Sequence, residues 1–253
     1  MRAVLPVNMQ FNFFEVFAFA VGLCFGSFAN VVICRLSCGK SIIAPSSYCP
    51  VCDTPLKRRD MIPIISWLLL RCKCRHCKEA ISKQYPLIEG ASAVLFLLMA
   101  RHTGATFFVL PLWGLAFVLL CVSVIDWYTM KIPDSLLIFG AIAGLSKIIL
   151  YPYGQGWQDA LLGIAAGAMP LLILDRLVWI FAKKPGFGYG DVKLMSVAGL
   201  FLGWYEIFAA YFVAFVAGGI YAAMLLITGK AKRGGYLAFA PFLAMGILVG
   251  LLS

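Results

Sequence analysis

Val124-Ile125-Asp126-Trp127-Tyr128-Thr129-Met130-Lys131-Ile132-Pro133-Asp134 decides how the rest of the chain reads. An apolar run closes there on an aspartate, a short polar turn follows, and a proline and a second aspartate open another apolar run. A related motif stands at Gly188-Tyr189-Gly190-Asp191-Val192-Lys193-Leu194. A carboxylate at the centre of a membrane span costs about 2.5–3.5 kcal/mol on insertion scales, so one kept beside lipid points to function. Two of them point to acid/base chemistry.

The composition around these motifs is that of an integral membrane protein. Of 253 residues, 62% are hydrophobic and only 13% charged, with a mean hydropathy of +0.94. Soluble domains rarely exceed about 50% apolar residues. The net charge of +10 does not indicate nucleic acid, because the basic residues cluster between apolar runs, as cytoplasmic loops do. The stretch Phe11–Ile33 is too long for the apolar core of a cleavable signal and is expected to remain as a first span.

The expected architecture is all-α and polytopic, with about eight transmembrane helices near 11–33, 86–101, 105–125, 134–151, 158–182, 191–205, 206–228 and 236–253. The sixth is the weakest, since Asp191 and Lys193 sit at one end and Glu206 follows the other, a pattern open to a re-entrant half-helix. Residues 35–85 hold ten Lys and Arg and are placed in the cytoplasm, with the N-terminus outside. Alternation then puts Lys131, Lys183-Lys184 and Lys230/Lys232/Arg233 inside, and Arg101-His102 and the 152–157 loop outside. Asp126 ends the third span and Asp191 begins the sixth, so both are expected at one depth, at the cytoplasmic end of the membrane. Gly140-x3-Gly144 and Gly163-x3-Gly167 are small-xxx-small pairs that let helices approach closely.

Cys49-Pro50-Val51-Cys52 and Cys74-Arg75-His76-Cys77 form two C-x2-C knuckles separated by 21 residues, slightly more than a zinc ribbon usually shows. Four thiolates suit a closed, tetrahedral, structural Zn²⁺ site. Free thiols or a redox pair are the competing readings, and Cys72 and His76 offer spare ligands. Few aliphatic residues precede Met61, so metal ligation would supply the folding energy that a core cannot. Cys24, Cys34 and Cys121 read as small buried hydrophobes.

Gly188-x-Gly190-Asp191 reads either as a backbone opened to an extended substrate or as a loop capped by Asp191. Paired with Asp126, the first reading gains weight. Two carboxylates within hydrogen-bond reach share one proton, so that one acts on water as base and the other donates to a carbonyl oxygen. Asp134 after Pro133 suits a helix N-cap, and Asp175 is the main rival to Asp126 as partner of Asp191. Glu89 could cap the second span or contact a cationic substrate or cofactor.

The chain resembles the bacterial type IV prepilin peptidases, the leader peptidase/N-methyltransferase family of GxGD intramembrane aspartyl proteases. The resemblance covers nearly the whole chain. It rests on Phe25-Gly26-Ser27-Phe28-Ala29-Asn30-Val31-Val32, both knuckles, Ile81-Ser82-Lys83-Gln84-Tyr85-Pro86-Leu87-Ile88-Glu89, the Asp126 to Asp134 motif, Gly188-Tyr189-Gly190-Asp191, and Ala240-Pro241-Phe242-Leu243-Ala244. It implies removal of a basic leader from type IV prepilins or type II secretion pseudopilins, after a glycine, at the cytoplasmic face of the inner membrane. It also implies methylation of the new N-terminal amine by S-adenosylmethionine. Asp126 and Asp191 would be catalytic, with Gly188, Gly190, Pro133 and Asp134 supporting them, and Cys49, Cys52, Cys74 and Cys77 would bind zinc. Residues 1–34 would be the first helix, 35–85 a zinc domain tied to methylation, and 86–253 the peptidase. Cys34, Ser37, Ala29 and Cys72 depart from the family pattern without touching the aspartate motifs. Glu79, Glu89, Asp53 and Asp60 are candidates for holding the basic leader.

Two other classes stay open on sequence alone. A transporter could use intramembrane acids as ion sites, although no inverted repeat is evident. A scaffold would tolerate replacement of both aspartates. No Gly-x-Gly-x-x-Gly follows a strand pattern, so the methyl-donor expectation rests on the resemblance.

Overall fold

A computed structural model describes residues 12–43, 47–150, 156–183, 186–229 and 237–252. Long apolar runs with few internal charges become helices, since a helix satisfies its own backbone hydrogen bonds. In order these are α1 (Phe13–Ser37), α2 (Ile65–Leu69), α3 (Gln84–Thr103), α4 (Val109–Thr129), α5 (Asp134–Leu150), α6 (Trp157–Ala182), α7 (Tyr189–Ile227) and α8 (Ala240–Leu252). A 3-10 turn covers Arg58–Met61, and the described residues form no strand beyond two isolated bridges. The expected all-helical architecture is therefore present. Phe11, most of the 152–157 loop, Lys184, Lys230, Lys232 and Arg233 lie outside the described residues.

The number of spans needs correction. Four helices, α1, α4, α6 and α7, are long and apolar enough to cross a membrane. α5 and α8 are too short by the same measure, and α3 is not apolar enough over its length. α7 is two helices in one: Gly203, at φ 81° and ψ −171°, breaks it between Leu202 and Trp204. The expected sixth and seventh spans are these two halves. Lys147 of α5 donates to the Phe201 carbonyl at the break and caps the first half.

Small residues set the packing. A Cβ at Gly140 would stand 3.1 Å from Val197 and one at Gly144 would stand 2.9 Å from Leu200, both on α7. Cβ atoms at Gly163 and Gly167 would collide with the Gly199 and Met195 carbonyls of α7. Both small-xxx-small pairs thus receive the same helix. α1 meets α3 where Gly22 approaches Ala93 and Gly26 approaches Glu89. α4 is buried along its length, from Val109 to Asp126. Trp113 stacks on Phe96 at 5.0 Å and donates to its carbonyl, fixing α4 against α3.

Candidate active site and metal centre

α4 stops where Met130 turns left-handed (φ 52°) and Ile132-Pro133 forbids continuation. Asp126 therefore stands one turn before the helix end, 6% exposed. α7 begins after Gly188, its N-cap, and places Asp191 in the first turn, 9% exposed. The two motifs are packed together without clearance. A Cβ at Gly190 would sit 2.9 Å from Ile132 Cβ, so only glycine allows this approach. Asp134, the first residue of α5, accepts from Lys193 Nζ at 2.7 Å. It was expected to cap α5; its described partner is instead the lysine across the helix pair, an exposed ion pair that aligns the motifs more than it stabilises them.

The contact of Gly190 with Ile132 draws the two motifs together, each carrying its buried aspartate. Their hydrogen-bond surroundings differ. Asp126 Oδ2 accepts from Ala240 N–H at 3.1 Å, at the first turn of α8, and the Phe239 N–H also faces it. Asp191 interacts with the Gly188 N–H but has an Oδ1 that is buried without a partner among the described residues. Asp191 is thus not the N-cap that the alternative reading required. Asp175 is not its partner either. Asp175 Oδ1 accepts from Gly186 N–H at 2.8 Å and Phe187 N–H at 3.2 Å, tying α6 to the loop that leads into Gly188. Phe187 packs on Phe215 and Phe239 at 6.0 and 5.5 Å, which joins that loop to the start of α8. The roles of Asp175 and Ala240 were missed by sequence reasoning. An acid in an apolar helix just before a Gly-rich loop, and a proline at the second position of α8, were the available signals.

Glu89 is 6% exposed and accepts from the Ile64 N–H at 2.7 Å, joining α3 to the cysteine region; Ser27 also reaches it. Among the four acids considered for a basic leader, Asp60 is bound to Arg75 at 2.6 Å and Glu89 to Ile64, while Asp53 and Glu79 are exposed.

The cysteine knuckles share one backbone design. Cys49 N–H donates to Thr54 O and Asp53 N–H to Cys49 O, while Cys74 N–H donates to Glu79 O and Lys78 N–H to Cys74 O. Asp53 and Lys78, each four residues after the first cysteine, are both left-handed at φ 52° and 62°. Single antiparallel bridges, Tyr48 to Pro55 and Lys73 to Ala80, close the two loops. The Sγ atoms of Cys49, Cys52, Cys74 and Cys77 all lie within 4.8 Å of one another. Cys49 Sγ is 3.9 Å from Cys77 Sγ. A tetrahedron of sulfurs about 2.3 Å from zinc has edges of about 3.8 Å, so the donor set fits that ion. Its electrostatics ask for a cation. The Thr54 hydroxyl and N–H bring Cys52 down to about 6. The Cys77 and His76 N–H groups also lower Cys74. The Glu79 N–H favours a thiolate at Cys77, but burial and the three neighbouring sulfurs push it up to about 12. Four thiolates cannot coexist there without a positive charge between them. Cys72 and His76 stay outside the cluster. Cys121 is buried as expected, but Cys24 and Cys34 are exposed on α1.

A family description, the bacterial peptidase A24 N-terminal domain, matches residues 20–103, and a second, the type IV leader peptidase family, matches residues 113–223. Curated relatives include proteins named prepilin leader peptidase/N-methyltransferase. The one from Myxococcus xanthus is 36% identical over 220 residues, covering 86% of this chain and 65% of the relative. The one from Bacillus subtilis is 34% identical over 234 residues, 92% of each chain. That from Stutzerimonas stutzeri is 34% identical over 268 residues, 94% of this chain and 90% of the relative. No solved structure gives a significant match. Matches to both halves, and identity above one third along nearly the full length of a relative, place this chain in the type IV leader peptidase family.

Proposed function

We propose that this chain is a prepilin leader peptidase and N-methyltransferase of the bacterial inner membrane. The observation that carries the reading is the meeting of two buried aspartates from distant motifs, Asp126 and Asp191. Asp126 is the base, because the N–H groups at the start of α8 favour negative charge there. Asp191, whose Oδ1 has no donor among the described residues, carries the shared proton and gives it to the scissile carbonyl oxygen. Asp126 takes a proton from water as the water oxygen bonds to the carbonyl carbon. It returns that proton to the leaving amine nitrogen as the C–N bond breaks, and Asp191 recovers its own as the carbonyl reforms. Gly188 leaves the backbone open beside this pair, Gly190 lets Ile132 pack against it, and Pro133 and Asp134 fix its other wall.

The expected division of the chain follows: residues 1–34 as first helix, 35–85 as zinc domain, 86–253 as peptidase, with the aspartates and the zinc domain on the cytoplasmic side and the N-terminus periplasmic. Substrates are type IV prepilins or type II pseudopilins whose apolar N-terminal helix lies in the bilayer and whose basic leader reaches the cytoplasm. Zn²⁺ held by Cys49, Cys52, Cys74 and Cys77 supplies folding energy and has no open position for chemistry. S-adenosylmethionine supplies the methyl group for the new amine.

Mass spectrometry of a prepilin N-terminus after incubation with the purified protein, with and without S-adenosylmethionine, tests both activities. Cleavage with methylation only when the donor is present is expected. Asp126→Asn and Asp191→Asn should each abolish cleavage in a membrane-inserted protein. Normal processing by either variant would refute the assignment.

A further inference from the structure

The cysteine region carries an apolar and basic surface beside the metal cluster. α2 turns Trp67 inward, its indole N–H donating to Ile81 O at 3.2 Å. It leaves Ile65, Leu68 and Leu69 exposed, Leu69 at 78%, and Ile62 continues the patch. A cavity of about 310 Å³ adjoins it, lined by Leu69, Leu70, Arg71, Lys73, Arg75 and Lys78 and touching the cluster at Cys74. Arg75 is paired with Asp60, whereas Arg71, Lys73 and Lys78 enter no ion pair among the described residues.

Glu89 ties this surface to the helical core. Its carboxylate accepts the Ile64 N–H at 2.7 Å, just before α2. Ile64 is β-branched yet left-handed, at φ 57°, a conformation that persists only where the surroundings impose it. The Glu89 Cα in turn lies against Gly26 of α1. α2 is thereby tied through α3 to α1, a helix long and apolar enough to cross a membrane, with its own apolar side chains left exposed.

We propose that α2 and the adjoining cavity dock anionic phospholipid from the leaflet on the cysteine-region side, Ile65, Leu68 and Leu69 entering the acyl boundary while Arg71, Lys73 and Lys78 hold the phosphodiester headgroup. The charge is complementary to that ligand, and the apolar patch beside the cations selects a lipid over a soluble phosphate.

Hydrogen exchange of amides 61–73 in the full-length protein tests this in nanodiscs of phosphatidylcholine alone and with rising phosphatidylglycerol. Protection that grows with phosphatidylglycerol is expected. Arg71→Gln, Lys73→Gln and Lys78→Gln should each raise the required fraction about fivefold. Leu68→Ser with Leu69→Ser should remove the protection while metal content stays unchanged. Because Lys73 adjoins Cys74 and Lys78 adjoins Cys77, the single Arg71 variant serves if either of those variants loses metal. Equal exchange in both disc types would overturn the proposal. So would equal protection by inorganic phosphate in phosphatidylcholine discs, or protection that follows the number of protein copies per disc. The readout is independent of proteolysis, so failure here leaves the peptidase reading standing.

Discussion

The cysteine region and the helical core are stable for different reasons. Between residues 47 and 83 only Cys49 and Cys74 are buried. α4, by contrast, buries a face from Val109 to Asp126, and glycines on α5, α6 and α8 bring their backbones against α7. One region depends on an ion to converge its chain, and the other depends on small side chains that admit close packing. Perturbations should therefore separate them.

The largest effect is expected from Cys49→Ser with Cys52→Ser, or from a strong chelator. Metal content should fall to zero and residues 47–83 should become open to protease, with helical circular dichroism nearly unchanged. Loss of the helical signal would mean that the two regions fold as one unit. Full metal retention would place the ligands elsewhere.

The reciprocal test is Gly163→Ala, whose Cβ meets the Gly199 carbonyl. It should destabilise the core by about 3 kcal/mol, seen as a lower thermal midpoint in detergent with normal metal content. An unchanged midpoint would mean that the α6–α7 contact relaxes freely.

Asp175→Ala releases the Gly186 and Phe187 N–H groups and should cost about 2 kcal/mol locally. The expected signature is a kcat for prepilin cleavage about tenfold lower with little change in KM. Asp175→Asn, which keeps an acceptor, should restore much of it. Equal kcat values for both variants and the parent would remove Asp175 from the positioning of Gly188.

The smallest effect belongs to Asp60. Its hydrogen bond to Arg75 holds its carboxyl below the usual range. A lowered folded value stabilises the region above the ordinary carboxylate range, and the contribution is lost as pH falls through the lowered value. Arg75 is 39% exposed, so solvent screens the pair and Asp60→Asn should cost only about 0.5 kcal/mol at neutral pH. The difference between parent and variant in local exchange should shrink on acidification. A difference that grows in acid would reverse the sign.

Much of this arrangement was legible in the sequence because it is written locally. Apolar runs located the helical segments, the knuckle spacing located the metal cluster, and proline and glycine located the turns around both aspartates. The break in α7 was expected within three residues of Gly203. What stayed hidden is decided by tertiary contacts: Asp126 on the first turn of α8, Lys147 on the broken end of α7, and Glu89 on Ile64. Each joins segments whose separation no periodicity encodes. Burial of Cys24 and Cys34 failed for a related reason, since hydrophobicity in a membrane protein does not tell a core-facing residue from a lipid-facing one.

The interruption at Gly203 leaves Tyr189–Leu202 with a rise of only about 20 Å, and α8 is of similar length. Neither reaches across a hydrocarbon layer about 30 Å thick, and a short element is accommodated where the bilayer dimples toward it. Asp191 heads one of these truncated rods and Asp126 touches the head of the other. Under the proposed membrane orientation, the acids would meet water at the floor of a local depression in the lipid, without a channel bored through protein.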